Sequence, residues 1–153
     1  MKRFAAVVLL CIFSLALISC GSQSTSNPGA DVSGNWNVLL TETGQTAPSY
    51  AFGLNLTKNT TTITGSEITY TGGTQFNTGC VNYGHLTVTG NSTGGSAITL
   101  VVADSSTNST FTISGDAVSG VTQINGNFAA TFGPNGSNPA CPNTNGSAVL
   151  TRQ

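Results

Sequence analysis

The chain contains one histidine, His85, and this limits the acid–base chemistry it can perform. A Ser/His/Asp relay would pair His85 with Asp104 and one of the many serines. No Gly-x-Ser-x-Gly elbow is present to raise a serine out of a strand–helix turn. Glu42 and Glu67 are the candidates for a carboxylate pair of the glycosidase type, which needs two acids flanking one bond. Cys80, His85 and Cys141 carry metal-ligand chemistry, but with no second histidine a fourth ligand would have to be a carboxylate. Neither a phosphate-binding P-loop nor a dinucleotide fingerprint occurs. Catalysis needs titratable groups held together. With so few available, the sequence is expected to encode no enzyme, no catalytic residue, no metal site and no cofactor.

The amino-terminal residues bear on cellular address. Lys2 and Arg3 precede an apolar stretch from Phe4 to Ile18, broken only by Ser14. That is the length of a signal-peptide apolar region and short of the roughly 20 residues a membrane-spanning helix needs. Leu17-Ile18-Ser19-Cys20 resembles the bacterial lipobox, with Ile18 bulkier than the usual small residue. The resemblance implies a bacterial lipoprotein, cleaved before Cys20 and acylated on its thiol. One acyl chain gives only marginal membrane binding, so several palmitate-like chains are implied. Gly21 and Ser22 follow without an aspartate, which in the enterobacterial sorting pattern implies the outer membrane of the cell envelope. The alternative is an ordinary secretory signal with an incidental cysteine. The expected organisation is residues 1–19 as signal peptide, 20–31 as lipidated flexible tether (polar, with Pro28 and Gly29) and 32–153 as one domain.

Beyond Cys20, Lys58 and Arg152 stand against Asp31, Glu42, Glu67, Asp104 and Asp116, a side-chain balance of −3. This excludes the clustered cationic footprint of a nucleic-acid binder and a polybasic membrane patch. Expected partners are the membrane, reached through the lipid, and either a small apolar ligand or another envelope protein. Cys11 leaves with the signal and Cys20 carries lipid, so Cys80 and Cys141 remain. In an oxidising compartment a disulfide between them is the default; the metal site is the alternative.

Eight short runs rich in Thr, Val, Ile and aromatics follow, at about 35–42, 49–57, 61–70, 82–89, 96–103, 109–115, 121–132 and 146–152. Gly, Asn and Ser divide them, the pattern of strands and tight turns. Period-two alternation puts Trp36, Val38 and Leu40 on one face, and likewise Tyr50, Phe52, Leu54 and Leu56. The outer faces carry mainly Thr, Asn and Ser, which excludes a lipid-facing barrel wall. Ile63 is out of phase with Ile68 and Tyr70, which predicts a bulge near Gly65-Ser66. Short links imply sequential antiparallel pairing. The expected fold is therefore all-β, an eight-stranded antiparallel up-and-down barrel in which closure removes the exposed edges. A two-sheet β-sandwich is the alternative.

Gly34-Asn35-Trp36 at the head of the first strand resembles the Gly-x-Trp opening of lipocalins and the wider calycin group. The resemblance implies that Arg152, near the end of the last strand, packs across Trp36 and closes the barrel floor. The middle lipocalin motif and the C-terminal helix have no counterpart, so no ligand specificity follows. Tyr50, Phe52, Tyr70, Tyr83 and His85 are the candidate ligand-lining residues at a barrel mouth; the competing expectation for such side chains is a packed core. The 133–145 loop, pinned by Cys141, is a candidate recognition surface or a stapled crossover. A non-catalytic binding or structural module is favoured. A calycin-like small-ligand carrier, or an inhibitor- or chaperone-like barrel acting on an envelope protein, is the alternative.

Overall fold

The computed structural model describes residues 29–76, 79–133 and 141–153. The signal segment, Cys20, the tether up to Pro28 and most of the 133–145 loop lie outside them. Eight strands form: β1 (Gly34–Glu42), β2 (Tyr50–Asn59), β3 (Thr62–Ile68), β4 (Leu86–Ser92), β5 (Ala97–Asp104), β6 (Ser109–Asp116), β7 (Gln123–Thr131) and β8 (Thr144–Arg152). Each pairs with its sequence neighbour, and β8 returns to β1, so the sheet is a closed antiparallel barrel. The β1–β8 ladder runs from Trp36 opposite Arg152 to Glu42 opposite Gly146. That ladder rules out the sandwich, in which the first and last strands would leave edges open. Among the described residues, no helix is long and apolar enough to cross a membrane.

Alternation sends Trp36, Val38, Leu40, Phe52, Leu54, Leu56, Leu100, Val102, Phe111, Ile113, Ile124, Phe128 and Leu150 into one core, each buried. Burying such a side chain fully contributes about 1.5–3 kcal/mol. Inward positions also hold glycines. A side chain at Gly126 would collide with the Ser114 carbonyl oxygen, and one at Gly146 with the Thr41 carbonyl oxygen. Glycine is required there because neighbouring backbones approach too closely for a Cβ, a common device where a small barrel bends.

Two sequence expectations need correction. No bulge occurs at Gly65-Ser66: the β2–β3 ladder runs without interruption from Asn59↔Thr62 to Gly53↔Ile68, and the β3–β4 ladder from Thr62↔Asn91 to Ser66↔Thr87. The inward series of β3 is Ile63, Gly65 and Glu67, so a glycine and a carboxylate interrupt the apolar signal without interrupting the strand. The fourth strand begins at Leu86 rather than near residue 82. Gly84, with φ 98°, breaks the extended chain and leaves Tyr83 and His85 in the connection before β4.

Candidate functional site

The antiparallel ladders sort the connections to two ends. The floor holds the start of β1, the end of β8 and the turns after β2, β4 and β6. The opposite end holds the connections 43–49, 69–85, 105–108 and 132–143.

At the floor, the Arg152 guanidinium lies over the Trp36 ring, 4.8 Å from its centroid. The contact follows directly from register, since the two residues are Cα partners. Arg152 Nε donates to the Val121 carbonyl (3.2 Å), Nη1 to Ser33 (2.8 Å) and Nη2 to Asp31 (3.1 Å). Trp36 Nε1 donates to the Val32 carbonyl at 2.8 Å. Lys58 Nζ donates to the Ala30 carbonyl at 2.7 Å. Residues 29–33 are thus strapped across the floor by backbone carbonyls bound to both Lys58 and Arg152.

At the loop end, the sulfurs of Cys80 and Cys141 are bonded, with Cα atoms 5.7 Å apart. The disulfide joins the 69–85 connection to the segment before β8 and removes both sulfurs from the alternative metal set. Asp104, at the tip of β5, is buried. It accepts hydrogen bonds from the Asn82 and Ser106 amides (2.8 Å each) and from the Ser106 and Thr107 hydroxyls (2.6 Å each). Ser109 Oγ donates to the Cys80 carbonyl at 2.9 Å. These contacts hold the start of segment 80–82 on the rim.

Burial pushes the Asp104 carboxyl up, but the two hydroxyls and two amides outweigh it and hold the group at about 2, against an ordinary 3.8. A depressed folded-state value contributes stability above the unfolded value and loses it as pH falls through the folded one. The unfolding midpoint in urea should therefore fall between about pH 4 and pH 2 as Asp104 takes up a proton. Asp104→Asn should be less stable at neutral pH and show a flatter decline over that window. Parallel declines in the two proteins would refute this role for Asp104.

The five candidate ligand-lining residues separate into three environments. Tyr50 and Phe52 lie in the core. The Tyr50 ring stacks on Phe132 at 5.6 Å and meets Phe111 edge-on at 5.1 Å, while Phe52 lies 5.7 Å from Phe111. Burial, then the Glu42 charge, pushes the Tyr50 phenol up, and its hydroxyl donates to Glu42 Oε1 at 3.1 Å. These aromatic side chains fill the interior beneath the rim. Tyr83 sits above them, its ring 6.3 Å from Phe52 and its hydroxyl donating to the Phe76 carbonyl at 2.6 Å. Burial raises that phenol too. Tyr70 and Tyr83 share a cleft of about 580 Å³ with Glu67, Gln75 and Gly84. His85 is exposed at the head of β4 and does not line that cleft.

No family model matches this chain, and neither does any curated protein. Among solved structures it is similar to EF1p2_mFAP2b, determined bound to DFHBI. The two share 13% identity, with a TM-score of 0.46, over 79% of this chain and 93% of the other. A likeness of that degree carries no inference about ligand or activity, and the fold rests on the strand ladders described above.

Glu67 is the site residue that the sequence reading assigned elsewhere, to a carboxylate pair. The β3–β4 ladder stops at Ser66↔Thr87, while β2–β3 continues to Gly53↔Ile68, so β3 and β4 part at the rim. Glu67 lies in that gap. Its Oε2 accepts from the Gly84 and Leu86 amides, the latter at 3.2 Å, and Gln75 Nε2 lies 3.4 Å from Oε1. A glutamate at an inward position two residues after Gly65, where the alternation calls for an apolar side chain, is the signal that marked it.

Proposed function

We propose that this chain is a lipid-anchored lipoprotein of the bacterial cell envelope, held at the outer membrane, whose barrel is a non-catalytic binding module. The observation that carries the reading is the strapping of residues 29–33 across the floor by Lys58 and Arg152. A tether running back from Gly29 to a lipidated Cys20 then leaves the barrel at its floor. The disulfide-stapled loop end lies at the opposite pole and points away from the lipid surface. The lipobox-like Leu17-Ile18-Ser19-Cys20 and the polar residues 22–28 support the anchor itself. Non-catalysis is supported by Asp104, whose oxygens are spent on four hydrogen bonds, and by the exposure of His85. The aromatic filling of the interior directs ligand binding to the rim.

Replacing Cys20 by Ala tests the anchor. In a bacterial host, the wild-type chain should sediment with membranes and take up a palmitate analogue. The variant should do neither. Membrane retention of an unlabelled Cys20→Ala chain would overturn the reading.

A further inference from the structure

We propose that the rim cleft between β3 and β4 binds a small organic cation, an amine or quaternary ammonium, between the Glu67 carboxylate and the rings of Tyr70 and Tyr83. The proposal rests on the reading of the loop end as a binding face and names the ligand class it takes.

Among the described residues the only Lys and Arg are Lys58 and Arg152, and both are bound at the floor. The strand ends at the loop pole carry Glu42, Glu67 and Asp104. Anionic walls raise the local concentration of cations and disfavour anions.

Two backbone amides hold Glu67 by a single oxygen, Oε2. Among the described residues, Oε1 meets only the Gln75 amide, at a long 3.4 Å. A carboxylate fixed in this way is pre-organised, and its second oxygen can accept a charge-assisted hydrogen bond from an ammonium. Glu42, by contrast, is engaged by the Tyr50 hydroxyl, and Asp104 is buried and saturated.

Tyr70 and Tyr83 line the same cleft as Glu67. Tyr83 is held in place by its hydrogen bond to Phe76 and by its packing on Phe52. A cation over a tyrosine face is attracted by the ring quadrupole, more strongly where water is excluded. A neutral sugar would use the same rings but draws nothing from the charge of this pole.

The test uses the full chain in a polyoxyethylene detergent, with choline chloride as probe and sodium chloride and glucose as controls. Saturation-transfer NMR should show choline bound with a saturable, millimolar affinity, and no saturable signal from glucose. Glu67→Gln keeps an oxygen for the Gly84 and Leu86 amides but removes the charge; it should weaken choline binding about tenfold, and Tyr70→Leu should do likewise. Both variants should keep the wild-type thermal transition, which separates loss of the site from loss of the fold. Absence of choline binding, glucose binding as tight as choline, or unchanged affinity in Glu67→Gln would each overturn the proposal. The Cys20→Ala chain should bind choline as the wild type does, so failure of the anchor and failure of the cleft are read separately.

Discussion

Trp36→Ala should destabilise the barrel by about 3–5 kcal/mol, the range for truncating a large buried aromatic. Trp36 is fully buried at the floor. Its removal leaves a cavity, strips the Val32 carbonyl of its donor and takes away the face on which the Arg152 guanidinium rests. The surroundings have little room to collapse, because residues 29–33 are fixed from outside by Lys58 and Arg152. Arg152→Lys should cost less, on the order of 2 kcal/mol, since one ammonium cannot replace three nitrogens reaching the separate carbonyls of Val121, Ser33 and Asp31. Urea unfolding followed by tryptophan fluorescence reads the Arg152 variant and circular dichroism reads both. A loss under 1 kcal/mol in Trp36→Ala would show that the floor does not hold the barrel together.

Reduction of the Cys80–Cys141 bond, or the double change to serine, should cost about 4 kcal/mol in the chain-entropy account, given the 61-residue separation. The linked segments also depend on each other for position. Val81 is buried beside Cys80, and the Asn82 amide donates to Asp104. Once the bond is open, the segment around Cys80 loses its covalent link and is held to the rim by non-covalent contacts, among them those to Asp104, Ser109 and Glu67. The double variant should therefore have a much lower urea midpoint and faster amide exchange around residues 80–84. An unchanged midpoint would mean that the unfolded chain is already compact enough to make the cross-link redundant.

The architecture was largely legible in the sequence, and for a specific reason. Period-two alternation is a local signal, and in β1, β2, β5, β6 and β7 nothing competes with it: Trp36, Val38 and Leu40, or Ile98, Leu100 and Val102, name the inner face directly. Closure is non-local, but Gly34-Asn35-Trp36 and Arg152 mark the two strands that meet. The sequence misled where a short-range reading assumed an apolar inner face. Gly65 and Glu67 occupy inner positions of β3, and the apolar residues Ile68 and Tyr70 fall outside the inner series, so an uninterrupted strand read as a broken one. Tyr83 and His85 looked like strand residues because of their alternation, while the conformation of Gly84 ends that alternation. The candidate site was only half legible. Tyr70 and Tyr83 do meet in one cleft, but Tyr50 and Phe52 belong to the core. Which aromatic side chains fill a barrel and which line its rim depends on where each strand stops, and composition does not carry that information.

The floor clasp has a consequence for the order of assembly. Arg152 donates to Ser33 across 119 positions, almost the full span of the domain. Hairpins from β2 to β7 join neighbours and can form early, but the mean sequence separation of native contacts is raised by the one ladder that links β1 to β8. High contact order slows folding, because the loop-closure entropy must be spent before the distant contact returns it. A chain emerging amino terminus first carries Trp36 in its first strand and waits for its last strand to cover it. Until then the largest apolar side chain of the protein sits on an open sheet edge, the arrangement most prone to pair with another chain. Closure of β1 on β8 is thus expected to follow hairpin formation, and the interval before it closes is when the open edge is most exposed to other copies of the chain.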